Sequence, residues 1–363
     1  MQRRALVLSF TIKMGKCGVL TTEPHDNKKY EIESLMINNG REIKCDTIKI
    51  KAKYQYLLEK FISFNTEYSR DGICTGEYYS SKNDGKLPFN VFIAISYVKQ
   101  TLTLEFSSKI LFEDYPKLIN RGTIRKCLIN LNSLGICRID IDGVLQTGCI
   151  TKADITKDIK MHLTDDILSA LNENVGMYRR YKWKHYRKTG IEFSRDVKDG
   201  RSKESLKLYD KGAELKANAE SRKFLSMLTN YEDIENYFDG MVRFEISLQS
   251  TAKIREFLNI QDTYINEFFN ADANPILKMF DKIFIVKSNS IDFRCSTYNE
   301  WSMLIILDYF HGDLQQIEQN IRNVYADRKG AYSRMKQFEQ VKTQNNNCQQ
   351  DIISEIRRQL MQG

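Results

Sequence analysis

Three short segments in which apolar and polar residues alternate constrain this chain more than anything else in it: KADITKDI at 152–159, ESLKLYDKGAEL at 204–215 and MVRFEISLQ at 241–249. A period of two marks a β-strand, because successive side chains leave opposite faces of a sheet. In the second segment Leu206 and Leu208 point one way, and Lys207, Tyr209 and Lys211 the other. In the third, Val242, Phe244, Ile246 and Leu248 form the row expected to be buried; Arg243, Glu245 and Ser247 form the open one. In the first, Asp154, Thr156 and Asp158 oppose Ala153, Ile155 and Ile159, with Lys157 interrupting the apolar row. Three such strands lining one side of a sheet would bring together a tyrosine, a lysine and at least two carboxylates.

The rest of the chain supports a globular frame for them. Its 363 residues suffice for two domains and a sizeable core, and 42% hydrophobic with 28% charged residues is ordinary for a soluble fold. A net charge of +8 favours a polyanionic partner. Eight cysteines are scattered without a CxxC pair, so neither a zinc ribbon nor a redox motif is indicated and reduced thiols are expected. MQRRALVLSF is too short for a signal sequence, and no later segment has the length and apolarity of a membrane span.

Along the chain, residues 1–44 read as an N-terminal extension of uncertain status, and patterned sequence begins at CDTIKIKAKY. Helical spacing marks 54–64; VFIAISYV and TLTLEFSS form a hairpin about Lys99 and Gln100; 114–135 reads as loop then helix, closed by Gly135. A strand is expected at 136–142 and a helix at 162–176, N-capped by Thr164. IEFSRD and ESLKLYDKG make a second hairpin, 212–235 a charged helical crossover, and after about 250 helices take over. The expected division is a catalytic sheet domain at 45–250, a helical DNA-binding or accessory domain at 251–340, and a polar tail at 341–363, frayed before a last short helix.

Tyr209 is the candidate nucleophile. A strand tyrosine alone is amphipathic surface, but lysines on either side would hold a phosphate or lower the phenol pKa from about 10. Asp154 and Glu245 are the best metal candidates, with Glu105 a third, since Mg²⁺ and Mn²⁺ take oxygen ligands. The plainer alternative makes them surface charges, with Glu245 pairing in the row of Arg243. Asp158 either supports the metal carboxylates or caps the next helix; Asp140, Asp142 and Asp210 read as turn or structural residues. His25, His162, His185 and His311 form no HxH, which disfavours a histidine-based metal site. Residues 178–188 are all cationic or aromatic. Arg179, Arg180, Lys182, Trp183, Lys184, His185, Tyr186, Arg187 and Lys188 suit a single-strand or distorted-duplex groove, against the plainer reading of a solvated loop. No phosphate-binding glycine loop, nucleophile elbow or HExxH is present.

The order of these motifs resembles the replication initiators of filamentous bacteriophages (the gene II/X type) and the related rolling-circle plasmid initiators. SLKLYDK is similar to the family strand in which a tyrosine, followed two residues on by a lysine, nicks one strand at the origin; this puts the nucleophile on Tyr209 and the lysine on Lys211. MVRFEISL resembles the family's VRFE strand and TKADITKDI its aspartate strand, which assigns the metal carboxylates to Glu245 and Asp154. LEFSSKILFEDYPKLIN is similar to its earlier glutamate strand and implicates Glu105. The resemblance covers roughly 45–330. It implies an α+β fold, an antiparallel-rich catalytic sheet of the rolling-circle (HUH-like) type lacking the HxH motif, followed by a helical domain. The implied activity is metal-dependent, site-specific nicking and rejoining of DNA through a phosphotyrosine, with Mg²⁺ or Mn²⁺. Implied partners are duplex and single-stranded origin DNA and the host helicase and polymerase, with no membrane, in the cytoplasm of a bacterial host. The alternatives are a non-catalytic DNA-binding replication regulator of the same fold and a metal-independent tyrosine recombinase.

Overall fold

Alternation in the sequence becomes strand wherever it is sustained. A computed structural model describes residues 42–175, 181–186, 190–195, 204–284, 297–310, 313–324, 327–345 and 349–362. The strands are β1 Cys45–Lys53, β2 Leu57–Lys60, β3 Asn65–Tyr68, β4 Cys74–Ser80, β5 Val91–Ser96, β6 Thr101–Ser107, β7 Cys137–Ile139, β8 Cys149–Lys160, β9 Tyr181–Tyr186, β10 Gly190–Arg195, β11 Glu204–Asp210 and β12 Met241–Leu248. Ten of them form one sheet in the order β3-β4-β5-β6-β1-β8-β12-β11-β10-β9, with every neighbouring pair antiparallel; β2 and β7 pair apart from it. The fold is therefore α+β, built on a large antiparallel sheet.

The helices that matter to the sheet's two faces are α1 Lys211–Ala217, α2 Ala219–Leu225, α3 Tyr231–Phe238, α4 Thr251–Leu258, α5 Pro275–Ile283, α6 Tyr298–Tyr309, α7 Leu314–Val324, α8 Arg328–Asn345 and α9 Gln349–Gln362. On one face, Ile48, Ile50, Leu104, Ile155, Leu206, Leu208, Phe244 and Ile246 are at most 2% exposed. They share a core with Ile254 and Phe257 of α4, Met279 and Phe280 of α5, and Ile353, Ile356 and Leu360 of α9. The change of pattern at 250 is thus not a change of core. A separate small cluster joins Met303, Leu304 and Leu307 of α6 to Ile317 of α7 and to Phe338 and Val341 of α8.

Three local expectations differ from the structure. Residues 54–64 give a 3-10 turn at Tyr54–Tyr56 and then β2, not a helix. The strand at 136–142 stops at Ile139, because Asp140 caps a helix by accepting from the Gly143 amide at 3.0 Å. The segment expected to fray before a short last helix ends in α9, fourteen residues that seal the main core. Lys157, the interruption in the apolar row of β8, has a use there. Its ammonium donates to the carbonyls of Gln359 and Leu360, at 3.2 and 2.9 Å, as a cation at a helix C-terminus does.

Candidate active site

On the sheet face opposite that core, register assembles the site. Glu245 of β12 lies between Lys207 of β11 and Thr156 of β8; Arg243 lies between Tyr209 and Asp158; Ser247 lies between Ser205 and Asp154. Residues directly opposite in antiparallel strands share a face with Cβ atoms about 5 Å apart, so these nine positions form one patch.

The Tyr209 hydroxyl donates to Glu245 Oε2 at 3.2 Å, and Lys207 Nζ donates to Glu245 Oε1 at 3.0 Å. One carboxylate therefore joins the tyrosine to a cation. Burial, then the charge of Glu245, hold the Tyr209 pKa well above its ordinary value. The flanking lysines do not lower it on balance, contrary to the expectation from sequence. Asp154 accepts from Ser247 Oγ at 2.6 Å and lies 3.9 Å from Lys152 Nζ. Burial, then repulsion by Glu245, raise its carboxyl to about pKa 6. Two carboxylates are thus held close enough in a shielded place to oppose each other's charge.

The polar row of β12, expected to be open, is closed. Arg243 is 0% exposed, Glu245 6% and Ser247 7%. Over Arg243 the cover comes from 3-10 turns at Ser108–Lys117 and from α1 and α3: the Arg243 guanidinium lies 5.2 Å from the Phe238 ring centroid, and Ser108 Oγ donates to Asp46 at 2.9 Å. Arg243 binds Asp158 through two 2.7 Å hydrogen bonds and reaches Asp46 at 3.0 Å. Asp158 is accordingly the partner of a buried arginine and not a helix cap. Glu245 pairs with Lys207 and Tyr209, not with an arginine.

Lys211 does not continue the strand face. Asp210 accepts from the Ala213 amide at 2.8 Å and starts α1, so β11 ends there. The Lys211 side chain folds under the site, 3% exposed, 2.7 Å from Glu214 and with its ammonium 5.6 Å from the ring centroids of both Tyr209 and Tyr115. Burial opposes its charge, but Tyr115 and the acidic neighbours outweigh that and keep it protonated. Glu105 is held by Lys49 at 2.7 Å and Lys152 at 2.9 Å, which overcome burial and keep its pKa low. It joins the site only through Lys152. Among the described residues no three His, Cys, Asp or Glu side chains converge as a metal cluster. Asp154 and Glu245 are what remains: two oxygen donors whose mutual repulsion a dication would relieve, with space in its shell for water and a substrate phosphate.

Gly190 of β10 lies directly opposite Tyr209. A Cβ there would come within 2.4 Å of the Leu208 carbonyl oxygen and 2.7 Å of Tyr209 Cβ, so only glycine lets β10 close on the tyrosine's strand.

Of the cationic and aromatic run, Arg179, Arg180, Arg187 and Lys188 lie outside the described residues. Lys182, Trp183, Lys184, His185 and Tyr186 contribute backbone to edge strand β9, paired with β10, and their side chains likewise lie outside the description. Sequence reasoning missed Arg243 and Asp46 as site residues; Arg243 fits the alternation of β12, so the pattern carried no signal that it would be buried.

The fold and site define a class: an antiparallel-sheet protein carrying a tyrosine hydrogen-bonded to one of two adjacent carboxylates. Residues 129–267 match the N-terminal family model of the phage replication-associated protein, the gene II product, a span that contains β8, β11 and β12. Over that segment the chain is similar to the filamentous-phage gene II-type replication initiators, a likeness that supports a part in replication initiation. No curated protein matches the chain. Among the described residues no helix is long and apolar enough to cross a membrane.

Proposed function

We propose that this chain starts rolling-circle replication by nicking one DNA strand at its replicon origin, and later rejoins it, through a phosphotyrosine on Tyr209. The observation that carries this reading is the hydrogen bond from Tyr209 to Glu245 within a face that also holds Asp154 and Lys207. Because burial and Glu245 disfavour a standing phenolate, the proton leaves as the new bond forms. The Tyr209 oxygen attacks phosphorus, its proton passes to Glu245, and the bond from phosphorus to the 3′ oxygen breaks. The 3′ oxygen takes a proton from solvent and becomes the hydroxyl that a host polymerase extends. Rejoining is the reverse, with the 3′-hydroxyl attacking the phosphotyrosine and Glu245 returning its proton to Tyr209. The phosphodiester energy is conserved, so no nucleotide cofactor is required.

Asp154 and Glu245 would hold Mg²⁺ or Mn²⁺ together with the scissile phosphate. Such a cation, when bound, supplies polarisation of the phosphoryl oxygens. Lys207 adds positive charge beside Glu245, while Lys211, its ammonium 5.6 Å from the Tyr209 ring centroid, contributes positive charge to the field around the ring. This frame is of the rolling-circle type with carboxylates in place of a histidine pair.

The test is incubation of labelled single-stranded origin DNA with protein and Mn²⁺, with and without EDTA, followed by a denaturing gel. A protease-sensitive shifted band that requires metal and vanishes in Tyr209→Phe is expected. Nicking that survives Tyr209→Phe would remove the proposal's centre.

A further inference from the structure

The site patch continues, past Lys152 and Glu105, onto the far half of the sheet. In the row next to Asp154, Lys152 pairs with Lys49, Lys49 with Glu105, Glu105 with Phe92 and Phe92 with Ser80. One row further, Lys51 pairs with Thr103, Thr103 with Ala94 and Ala94 with Tyr78. Phe92 and Tyr78 therefore stand on the same face as Tyr209, Glu245 and Asp154, on the far half of the sheet. Their rings are stacked, centroids 6.1 Å apart at 29°, and Lys49 Nζ lies 5.8 Å from the centroid of Phe92. Both aromatic residues are half-buried, and Lys51 and Lys53 beside them are exposed. The opposite face of these strands, with Ile50, Ile93, Leu104 and Tyr79, is buried. An amphipathic sheet does not need aromatic rings on its wet face, and lysines interleaved with stacked rings suit phosphates and bases in alternation.

We infer that the open face of β4, β5, β6 and β1 is a binding platform for single-stranded DNA: bases stack on Phe92 and Tyr78, and phosphates lie along Lys51 and Lys53, while Lys49, already paired with Glu105, lies against the Phe92 ring. The occupant is fixed by charge complementarity and by continuity with the nucleophile. From β11 to β5 is five inter-strand steps, about 24 Å, a distance that a few nucleotides of extended strand cross. The inference rests on the reading of the chain as a DNA-nicking initiator, and it names the surface that presents the unpaired strand to Tyr209.

The experiment is fluorescence anisotropy of a labelled oligothymidylate with the full chain in the Tyr209→Phe background, without divalent metal, so that no cleavage intervenes. Phe92→Ala and Tyr78→Ala are each expected to weaken binding about five-fold or more, the usual loss for one stacked base. Phe92→Leu keeps apolar bulk without a ring and should lose as much, whereas Tyr78→Phe keeps the ring and should bind as the parent does. Replacing Lys51 and Lys53 by glutamine should reduce the salt slope by about 0.7 for each phosphate no longer neutralised. Unchanged affinity in folded Phe92→Ala and Phe92→Leu proteins would overturn the platform. The adduct assay on the Tyr209-intact protein separates the two ideas. Ring-dependent binding without an adduct leaves the platform and removes nicking; an adduct with ring-independent binding does the opposite.

Discussion

Arg243 is the side chain on which the covered end of the site is built. A guanidinium at 0% exposure is tolerable only if every face of it is matched, and here Asp158, Asp46 and the Phe238 ring do so. Burial alone would strip its charge, yet the Asp158 pairing raises its pKa well above the ordinary value. Arg243→Met is expected to cost about 3–5 kcal/mol in urea denaturation, because Asp158 is left charged and alone. The double variant Arg243→Met with Asp158→Leu should recover much of that loss. Asp154 works in the other direction. Its folded pKa of about 6 lies above the ordinary carboxylate value, so the native state binds this proton more tightly than the unfolded one. The charged form is a burden above about pH 6, relieved as pH falls through 6 toward 4. Metal-free Asp154→Asn should therefore be more stable at pH 7–8, by up to about 3 kcal/mol, and indistinguishable from the parent below pH 4. Thermal melts across pH check this; the same variant should lose the rise in Tm that Mn²⁺ gives the parent.

At the scale of elements, period two was enough to find β8, β11 and β12 and to say which residues share a face. Thr164 capping its helix, accepting from the Ile167 amide at 3.3 Å, and the hairpin of β5 and β6 were equally legible, because both are written in neighbouring residues. What lay beyond reading was set by distant packing. The polar row of β12 alternates like a surface, and only 108–117 and 211–238 folding over it make Arg243 a buried charge. Lys211 was misplaced for a local reason that the sequence did contain, since Asp210 is an N-cap residue type and ends the strand that Lys211 would otherwise extend. Lys157 looked like an error in an apolar row until the carbonyls at the end of α9 gave its ammonium a destination.

Taken whole, the molecule closes its main core with segments far apart in sequence. Helix α9 contributes Ile353, Ile356 and Leu360 to the core that backs the sheet, and Arg357 pairs with Asp281 of α5 at 2.7 Å. Deleting residues 349–363 exposes that apolar surface. Such a truncation is expected to aggregate or to melt at least ~10 °C lower than the full chain, as scanning fluorimetry would show, since loss of several large buried side chains costs several kcal/mol.

The pairing of β8 with β12 and of β12 with β11 has a kinetic side. Asp154 meets Ser247 at a sequence separation of 93, and Tyr209 meets its partner strand across a three-helix crossover. Contacts of that separation form late and slowly, and a slip of one residue in either pairing would send Tyr209 or Glu245 to the apolar face. A half-folded chain thus has strands but no constellation. For a protein proposed to break DNA, this is a safety catch: the reactive groups meet only when the long-range register is correct, so cutting competence arrives last.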